Sequence, residues 1–110
     1  MSVNEAMVDA ALHLLIDTAE PHADWIARAM YCTEFRKVRK ALGMRQAELD
    51  GYKTAALQER EAYAADSYNE HLLELFEAVK QKELIHAKRK HAEQIIELWR
   101  TQRADERQKL

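Results

Sequence analysis

Two residues one helical turn apart, Glu83 and His86, are the pair in this sequence that most resembles a metal-binding motif. Pairs of the form Glu-x-x-His, together with further glutamates from neighbouring helices, hold di-iron centres in helical bundles. The chain contains one such pair, and Glu34 is the only acid in the helical stretch expected opposite it. Because this set of ligands is incomplete, we expect no bound metal and no cofactor.

The remaining nucleophilic and titratable side chains form no catalytic pattern. His71 and His91 lie 15 and 5 positions from His86, so these histidines lack the i, i+4 spacing of metal ligands on one helix face. Cys32 has an arginine one turn to either side, but not the histidine and acid that activate a nucleophile. The sequence also lacks a glycine-rich phosphate loop. We therefore expect a protein without enzymatic activity.

Five basic residues in the second half of the sequence could bind the phosphates of a nucleic acid. Aromatic side chains such as Tyr31 and Trp99 could stack on unpaired bases. Against this, Glu77, Glu83 and Glu93 are interleaved with the basic residues, and the formal net charge is −2. The balance favours a solvated helix face, and binding of single-stranded nucleic acid stays the alternative. The five basic residues are Lys80, Lys82, Lys88, Arg89 and Lys90.

Trp99 and Arg100 are candidates for a protein interface, because large apolar residues are scarce near this end of the sequence and both types are frequent interface anchors. Trp99 is equally well explained as the residue that closes the end of a helical bundle, and a dimer accommodates both roles. Other large apolar residues at helical spacing complete the predicted interface. They are Tyr31, Phe35, Leu42, Leu72, Leu75 and Val79.

The element that must position many of these residues is a long helix, predicted over residues 67–107. Ser67 and Glu70 have the spacing of a capping box at its start, and no Pro or Gly interrupts the stretch that follows. Apolar residues recur at helical spacing from Tyr68 to Trp99. Such a helix is about 60 Å long and cannot bury its own apolar stripe, so another helix must lie along it.

Three shorter helices are predicted before it, over residues 3–17, 21–50 and 54–65. Pro21 separates the first two, because it disfavours helical geometry in the preceding residue. Asp50-Gly51 ends the second helix, since glycine supplies a left-handed residue, and Thr54 can cap the third. One seam of the second helix contains Tyr31, Phe35, Val38, Leu42 and Leu49. The predicted fold is all-α: a long antiparallel hairpin with a short N-terminal helix, dimerised as a coiled coil or four-helix-like bundle.

The composition favours thin helical packing in a single domain over residues 1–110. Charged residues make up 33% and hydrophobic residues 47% of the chain, much of the latter alanine, with one Pro and two Gly. Large apolar side chains are therefore too few for a thick core, which favours a homodimer. The single cysteine, and the lack of a leader or membrane-spanning run, fit a protein of the bacterial cytoplasm.

Charge alternates along the chain in four blocks. Residues 1–24 carry five acids and no Lys or Arg, residues 25–45 six bases and one acid, residues 46–77 eight acids and two bases, and residues 78–110 nine bases and five acids. In an antiparallel hairpin, we expect Arg36–Arg45 beside Glu70–Glu77, and the acidic N-terminal block beside Arg100–Lys109. We interpret the blocks as charge complementarity between paired helices.

Three parts of the sequence resemble a group of small helical phage and prophage proteins. They are Leu15-Ile16-Asp17-Thr18 with Phe35-Arg36-Lys37, Glu59-Arg60-Glu61-Ala62-Tyr63-Ala64, and Ile96-Glu97 with Trp99-Arg100-Thr101, Ala104 and Arg107. Ala55-Ala56 departs from the Gly-Ser or Gly-Thr pair of that group. Because such genes commonly lie in recombination or replication clusters, the resemblance implies docking on a phage or host protein of DNA recombination or replication. Inhibition of a host defence or DNA-processing complex is a further alternative.

Overall fold

A computed structural model describes residues 2–109, which form three helices and no strand. Helix α1 spans Glu5–Leu49, α2 spans Ala55–Ala64 and α3 spans Asp66–Lys109. The predicted all-α class is confirmed. The chain divides into two compact units, and α1 and α3 contribute to both. Unit 1 contains the residues up to Asp24 and those from Lys82 onward, and unit 2 contains Trp25–Gln81.

Within each unit α1 and α3 run antiparallel, which confirms the predicted pairing of a helical hairpin. In unit 1, the Val3 N–H donates to Gln102 Oε1 at 3.0 Å, and Gln102 Nε2 donates to the Val3 carbonyl at 3.1 Å. In unit 2, His71 Nε2 donates to the Cys32 carbonyl at 2.7 Å. These bonds fix which residues of the two helices face each other.

Small side chains line the contact between the helices. Alanines are the most frequent residues of the core, each at most 4% exposed, and no large side chain of the described residues is completely buried. Small residues at a helix contact allow the two backbones to approach closely. Within each unit the helix contact is therefore built mainly of small residues, as the composition predicts. The buried alanines of α1 and α3 at this contact are Ala11 and Ala92 in unit 1, and Ala29 and Ala78 in unit 2, whereas Ala47 of α1 and Ala62 of α2 are buried where α1 meets α2.

The row of large apolar residues predicted on one seam of the second helix does not form this contact. Tyr31, Leu42 and Leu49 are 64%, 49% and 75% exposed. Helix α1 carries two rows with helical spacing, one containing Ala29 and Ala47 and one made of large residues. Both rows satisfy the helical period, and the smaller one packs inward because it permits the close approach of the neighbouring helices.

The break predicted at Pro21 is wrong, and the expected short N-terminal helix is the first part of α1. Proline removes a backbone N–H and crowds the preceding turn of a helix. In that turn, Thr18 Oγ1 donates to the Leu14 carbonyl at 2.6 Å. Arg89 Nη1 of α3 donates to the Leu15 carbonyl at 2.6 Å and to Thr18 Oγ1 at 2.9 Å. This contact holds the turn before Pro21 against α3, and the helix continues through the proline.

The other helix ends agree in part with the sequence. Gly51 has a φ of 102° just after α1, as predicted for its stop. Thr54 caps α2, its side chain accepting from a backbone N–H at 3.2 Å. Ala65, in an extended conformation, is the single residue between α2 and α3. Because α3 begins at Asp66, Ser67 lies inside the helix and is not the predicted cap.

Helix α2 packs against α1 at Gly43. A Cβ atom at Gly43 would lie 2.9 Å from Ala62 Cβ and 3.0 Å from Ala62 Cα, so only glycine fits without displacement of α2. Beside this contact, Lys40 Nζ lies 3.0 Å from Glu59 Oε1 and 5.1 Å from the centre of the Tyr63 ring. Hydrogen bonding to Tyr63, and then to Glu59, raises the pKa of the Lys40 ammonium.

The predicted charge pairing is found only in part. The acidic N-terminal block lies beside Arg100–Lys109, since Val3 bonds to Gln102, but no ion pair of the described residues joins α1 to α3. Among residues 2–109, Lys40–Glu59 is the ion pair that joins two helices, and the others link near neighbours on one helix. Small apolar residues make the close contact, so the long charged side chains remain on solvated faces. Exposed ion pairs contribute little there, about 0–1 kcal/mol each.

We expect Gly43→Ala to lower the free energy of unfolding by about 1–3 kcal/mol, because the added methyl group overlaps Ala62. Helix propensity alone predicts the opposite sign, since alanine is favoured over glycine by about 1 kcal/mol. Urea denaturation followed by circular dichroism measures the change. The double variant Gly43→Ala/Ala62→Gly should recover part of the loss. Increased stability of Gly43→Ala alone would contradict the α1–α2 contact.

Candidate interaction surface

An apolar strip on α1 is the most extended surface feature of unit 2. Its residues follow one another at steps of four, three, four and seven, which places them on one face of the helix. Arg45 fills the position between the last two, so the spacing is that of a coiled-coil seam. Four of its members are 45–75% exposed, and the fifth, Phe35, is half-buried. This α1 strip contains Tyr31, Phe35, Val38, Leu42 and Leu49.

Phe35 anchors the strip to the hairpin. Its ring lies 5.5 Å from the ring of Tyr31 and 5.5 Å from the ring of His71, and the Arg39 guanidinium lies 5.3 Å from its centre. His71 is itself 4% exposed and bonded to the Cys32 carbonyl. The strip is therefore attached to the hairpin through the packing of Phe35 on the buried His71.

Two cavities adjoin the strip, and each contains two carboxylates and one guanidinium. The first, of about 390 Å³, meets the strip at Tyr31, and the second, of about 410 Å³, meets it at Leu42. The first is lined by Trp25, Arg28, Tyr31, Cys32, Glu74 and Glu77. The second is lined by Arg39, Leu42, Gly43, Gln46, Ala47, Asp50, Tyr52, Glu61, Ala64, Ala65 and Ser67.

A second apolar surface, the α3 cluster, occupies two turns of α3 in unit 2. Leu73 and Phe76 are 69% and 64% exposed, and Leu72 and Val79 are 37% and 38% exposed. The helical period places Leu72, Phe76 and Val79 on the side of α3 opposite to Glu74, which lines the first cavity. The α3 cluster is therefore a separate surface from the α1 strip.

The other predicted interface residues are distributed between the two units. Leu75 is half-buried in unit 2. In unit 1, Trp99 is half-buried and Arg100 is exposed, and both line a cavity of about 570 Å³ with Arg103, Glu106 and Arg107. The Arg103 guanidinium lies 5.0 Å from the centre of the Trp99 ring. This end of α3 is an arginine-rich surface with one aromatic side chain.

The structure divides the five basic residues proposed for nucleic-acid binding. Lys80, Lys88 and Lys90 are exposed. Lys82 is half-buried and lies 3.6 Å from Glu83. Arg89 is half-buried against α1, where it bonds to the turn before Pro21. The five side chains therefore do not present one continuous basic face.

The potential metal pair lies in unit 1. The ring of His86 stacks on that of His22, with 6.1 Å between centres. Within residues 2–109, no group of three or more His, Cys, Asp or Glu side chains is arranged to hold a metal ion. In the same residues, no helix combines the length and apolar character needed to cross a bilayer.

Sequence reasoning missed two features of the site. The first is the pairing of Arg28 with Trp25, whose ring centre lies 4.6 Å from the guanidinium; the i, i+3 spacing was the available signal. The second is the buried row of α3, in which His71, Ala78 and Ala92 recur at multiples of seven residues. Larger residues nearby have helical spacing as well, which concealed this row.

Comparison with known proteins finds no matching family model, no similar curated protein and no similar solved structure.

We expect Arg89→Ala to lower the free energy of unfolding by about 1.5–3 kcal/mol, because two hydrogen bonds from a charged donor to α1 are lost. Its exposed neighbour provides the control: Lys88→Ala should change stability by less than about 0.5 kcal/mol. Thermal and urea denaturation of both variants measure the difference. Equal effects of the two substitutions would show that Arg89 does not support the helix through Pro21.

Proposed function

We propose that this protein is a non-enzymatic interaction module that binds a protein partner through the α1 strip. One observation carries the proposal. In unit 2 the buried helix contact is made largely of alanine, whereas larger apolar side chains such as Tyr31, Leu42 and Leu49 face outward. Exposure of such side chains in one continuous strip is unfavourable in water unless a partner covers it.

The geometry of the strip suits a helical partner. From Tyr31 to Leu49 it extends about 27 Å along α1. Its three- and four-residue spacing matches the apolar ridge of a second helix, as in coiled coils and in complexes where a helix lies in a groove. Phe35, held by His71, provides an ordered aromatic anchor at one end.

We assign the α3 cluster to a second copy of the chain. A symmetric dimer brings the same patch of both molecules together, so Phe76 and Leu73 would each cover their counterparts. The cluster is compact, about two helical turns, which fits the crossing of two α3 helices. The homodimer would then leave the α1 strip of each copy open to the partner.

The resemblance to small phage proteins supports a partner from phage or host DNA recombination or replication. Inhibition of a host defence or DNA-processing complex uses the same kind of surface and differs only in the identity of the partner. Both versions place the function in binding rather than in catalysis.

Site-specific photo-crosslinking in bacterial cells tests the proposal. A crosslinking amino acid at Leu42 should capture one defined protein, and the same group at Lys37, exposed on another face of α1, should not. The purified captured protein should bind the wild type, and Leu42→Asp should weaken that binding at least tenfold without unfolding the chain. Equal capture from both positions, or binding unaffected by Leu42→Asp, would overturn the assignment.

Single-stranded nucleic acid is the second candidate, and the surface at Trp99 is the observation that favours it. Arg100, Arg103 and Arg107 surround an aromatic side chain there, a combination that binds phosphates and stacks on bases. Under the leading proposal, a fluorescent oligonucleotide binds only at low salt. Tight binding at physiological salt, lost in Arg103→Glu/Arg107→Glu or in Lys88→Glu/Lys90→Glu while the fold is retained, would rank nucleic acid first.

A further inference from the structure

We infer that the α1 strip and its two cavities take a basic amphipathic helix of the partner protein. The inference rests on the proposed function and specifies the chemistry of the partner. It depends on the juxtaposition, within unit 2, of an apolar strip with an acidic cavity at each of two points along it.

Both cavities carry an excess of negative charge. In the first, Glu74 and Glu77 lie with Arg28, whose guanidinium is stacked 4.6 Å from the centre of the Trp25 ring. Neither carboxylate forms an ion pair within the described residues. Two carboxylates beside one guanidinium leave a net charge of about −1, which attracts a cationic side chain.

The second cavity repeats this arrangement. Asp50 and Glu61 line it with Arg39, whose guanidinium is stacked on Phe35 at 5.3 Å. Asp50 accepts a hydrogen bond from Gln46, which leaves its charge uncompensated. In both cavities, therefore, the single arginine is stacked on an aromatic ring, and the two carboxylates outnumber it by one.

The first cavity also has the lining that suits a long basic side chain. Trp25 and Tyr31 provide aromatic surface for the methylene groups of Lys or Arg, and Glu74 and Glu77 provide carboxylates for the charged end. A cation beside an aromatic face and a carboxylate is stabilised by both. An acidic side chain at the same place would be repelled.

The spacing of the cavities predicts the pattern of the partner. Tyr31 and Leu42, which mark the two cavities on α1, are 11 residues apart, about 16 Å along the helix axis. A partner helix lying along the strip needs basic residues about 11 positions apart, with apolar residues at three- and four-residue spacing between them and no basic residue opposite Arg45, which occupies the seam between Leu42 and Leu49.

Fluorescence anisotropy with three labelled peptides, each of about 18 residues, tests the inference. The first has the predicted apolar stripe with two lysines about 11 positions apart, the second replaces the lysines by glutamates, and the third scrambles the first. The full-length wild type should bind the first at least tenfold more tightly than either of the others at physiological salt.

Charge reversal in the first cavity provides the matched variant. Glu74→Lys/Glu77→Lys should weaken binding of the basic peptide at least tenfold and improve binding of the peptide in which glutamates replace the lysines. Glu93→Lys/Asp105→Lys makes the same change in net charge at exposed positions of unit 1 and should leave the preference unchanged. Circular dichroism verifies that each variant remains helical.

The outcomes separate this inference from the proposed function. Equal binding of the basic and acidic peptides would overturn the charge preference and leave apolar docking at the strip intact. Binding of none of them, with specific crosslinking at Leu42, would also overturn the inference alone. Absence of both would overturn both. If sedimentation shows a wild-type dimer that Leu42→Asp dissociates, a second copy occupies the strip and the inference is wrong.

Discussion

The close approach of α1 and α3 at a row of alanines is the constraint on which the rest of this structure depends. Ala29 and Ala78 are at most 4% exposed at this contact, and Tyr68 and His71 are the larger residues buried with them in unit 2. Alanine buries little apolar area, and each square ångström is worth only about 25 cal/mol. The hairpin therefore gains stability in small increments along its length, and the larger apolar residues are left on its outer surfaces.

A contact made of alanines also determines the register between α1 and α3 only weakly, because one alanine packs about as well as the next against the facing helix. Directional polar contacts supply the missing information. Arg89 bonds to the turn before Pro21 in unit 1, and His71 bonds to the Cys32 carbonyl in unit 2. Both donors are at least half-buried and both acceptors are backbone carbonyls. A slip of one residue would leave these groups without partners, at about 1–3 kcal/mol each.

Periodicity and capping residues in the sequence correctly predicted the features that depend on nearby residues, namely helix formation and some of the helix ends. Helical periodicity gave the all-α class, Gly51 gave the end of α1, and Thr54 gave the start of α2. Pro21 failed as a break, and the side chain that holds the turn before it, Arg89, is 68 positions away in the sequence. The sequence could not show which row of α1 faces inward, because the alanine row and the row of large apolar residues have the same helical period. The larger side chains favoured the second row, whereas the alanine row is the one that is buried. The candidate interaction surface follows from that choice, and three of the five residues of the α1 strip, Tyr31, Phe35 and Leu42, were predicted as interface residues.

The proposed function requires that the large apolar residues of α1 do not hold the hairpin together. Urea unfolding of Leu49→Ser, Tyr31→Ser and Ala78→Leu tests it most directly. The first two lie on the exposed strip and should lower the free energy of unfolding by less than about 1 kcal/mol, which for Tyr31 includes the loss of its stacking on Phe35. Ala78, completely buried, has no space for leucine, so the third should lose about 1–3 kcal/mol. Larger losses at the strip than at Ala78 would contradict the account.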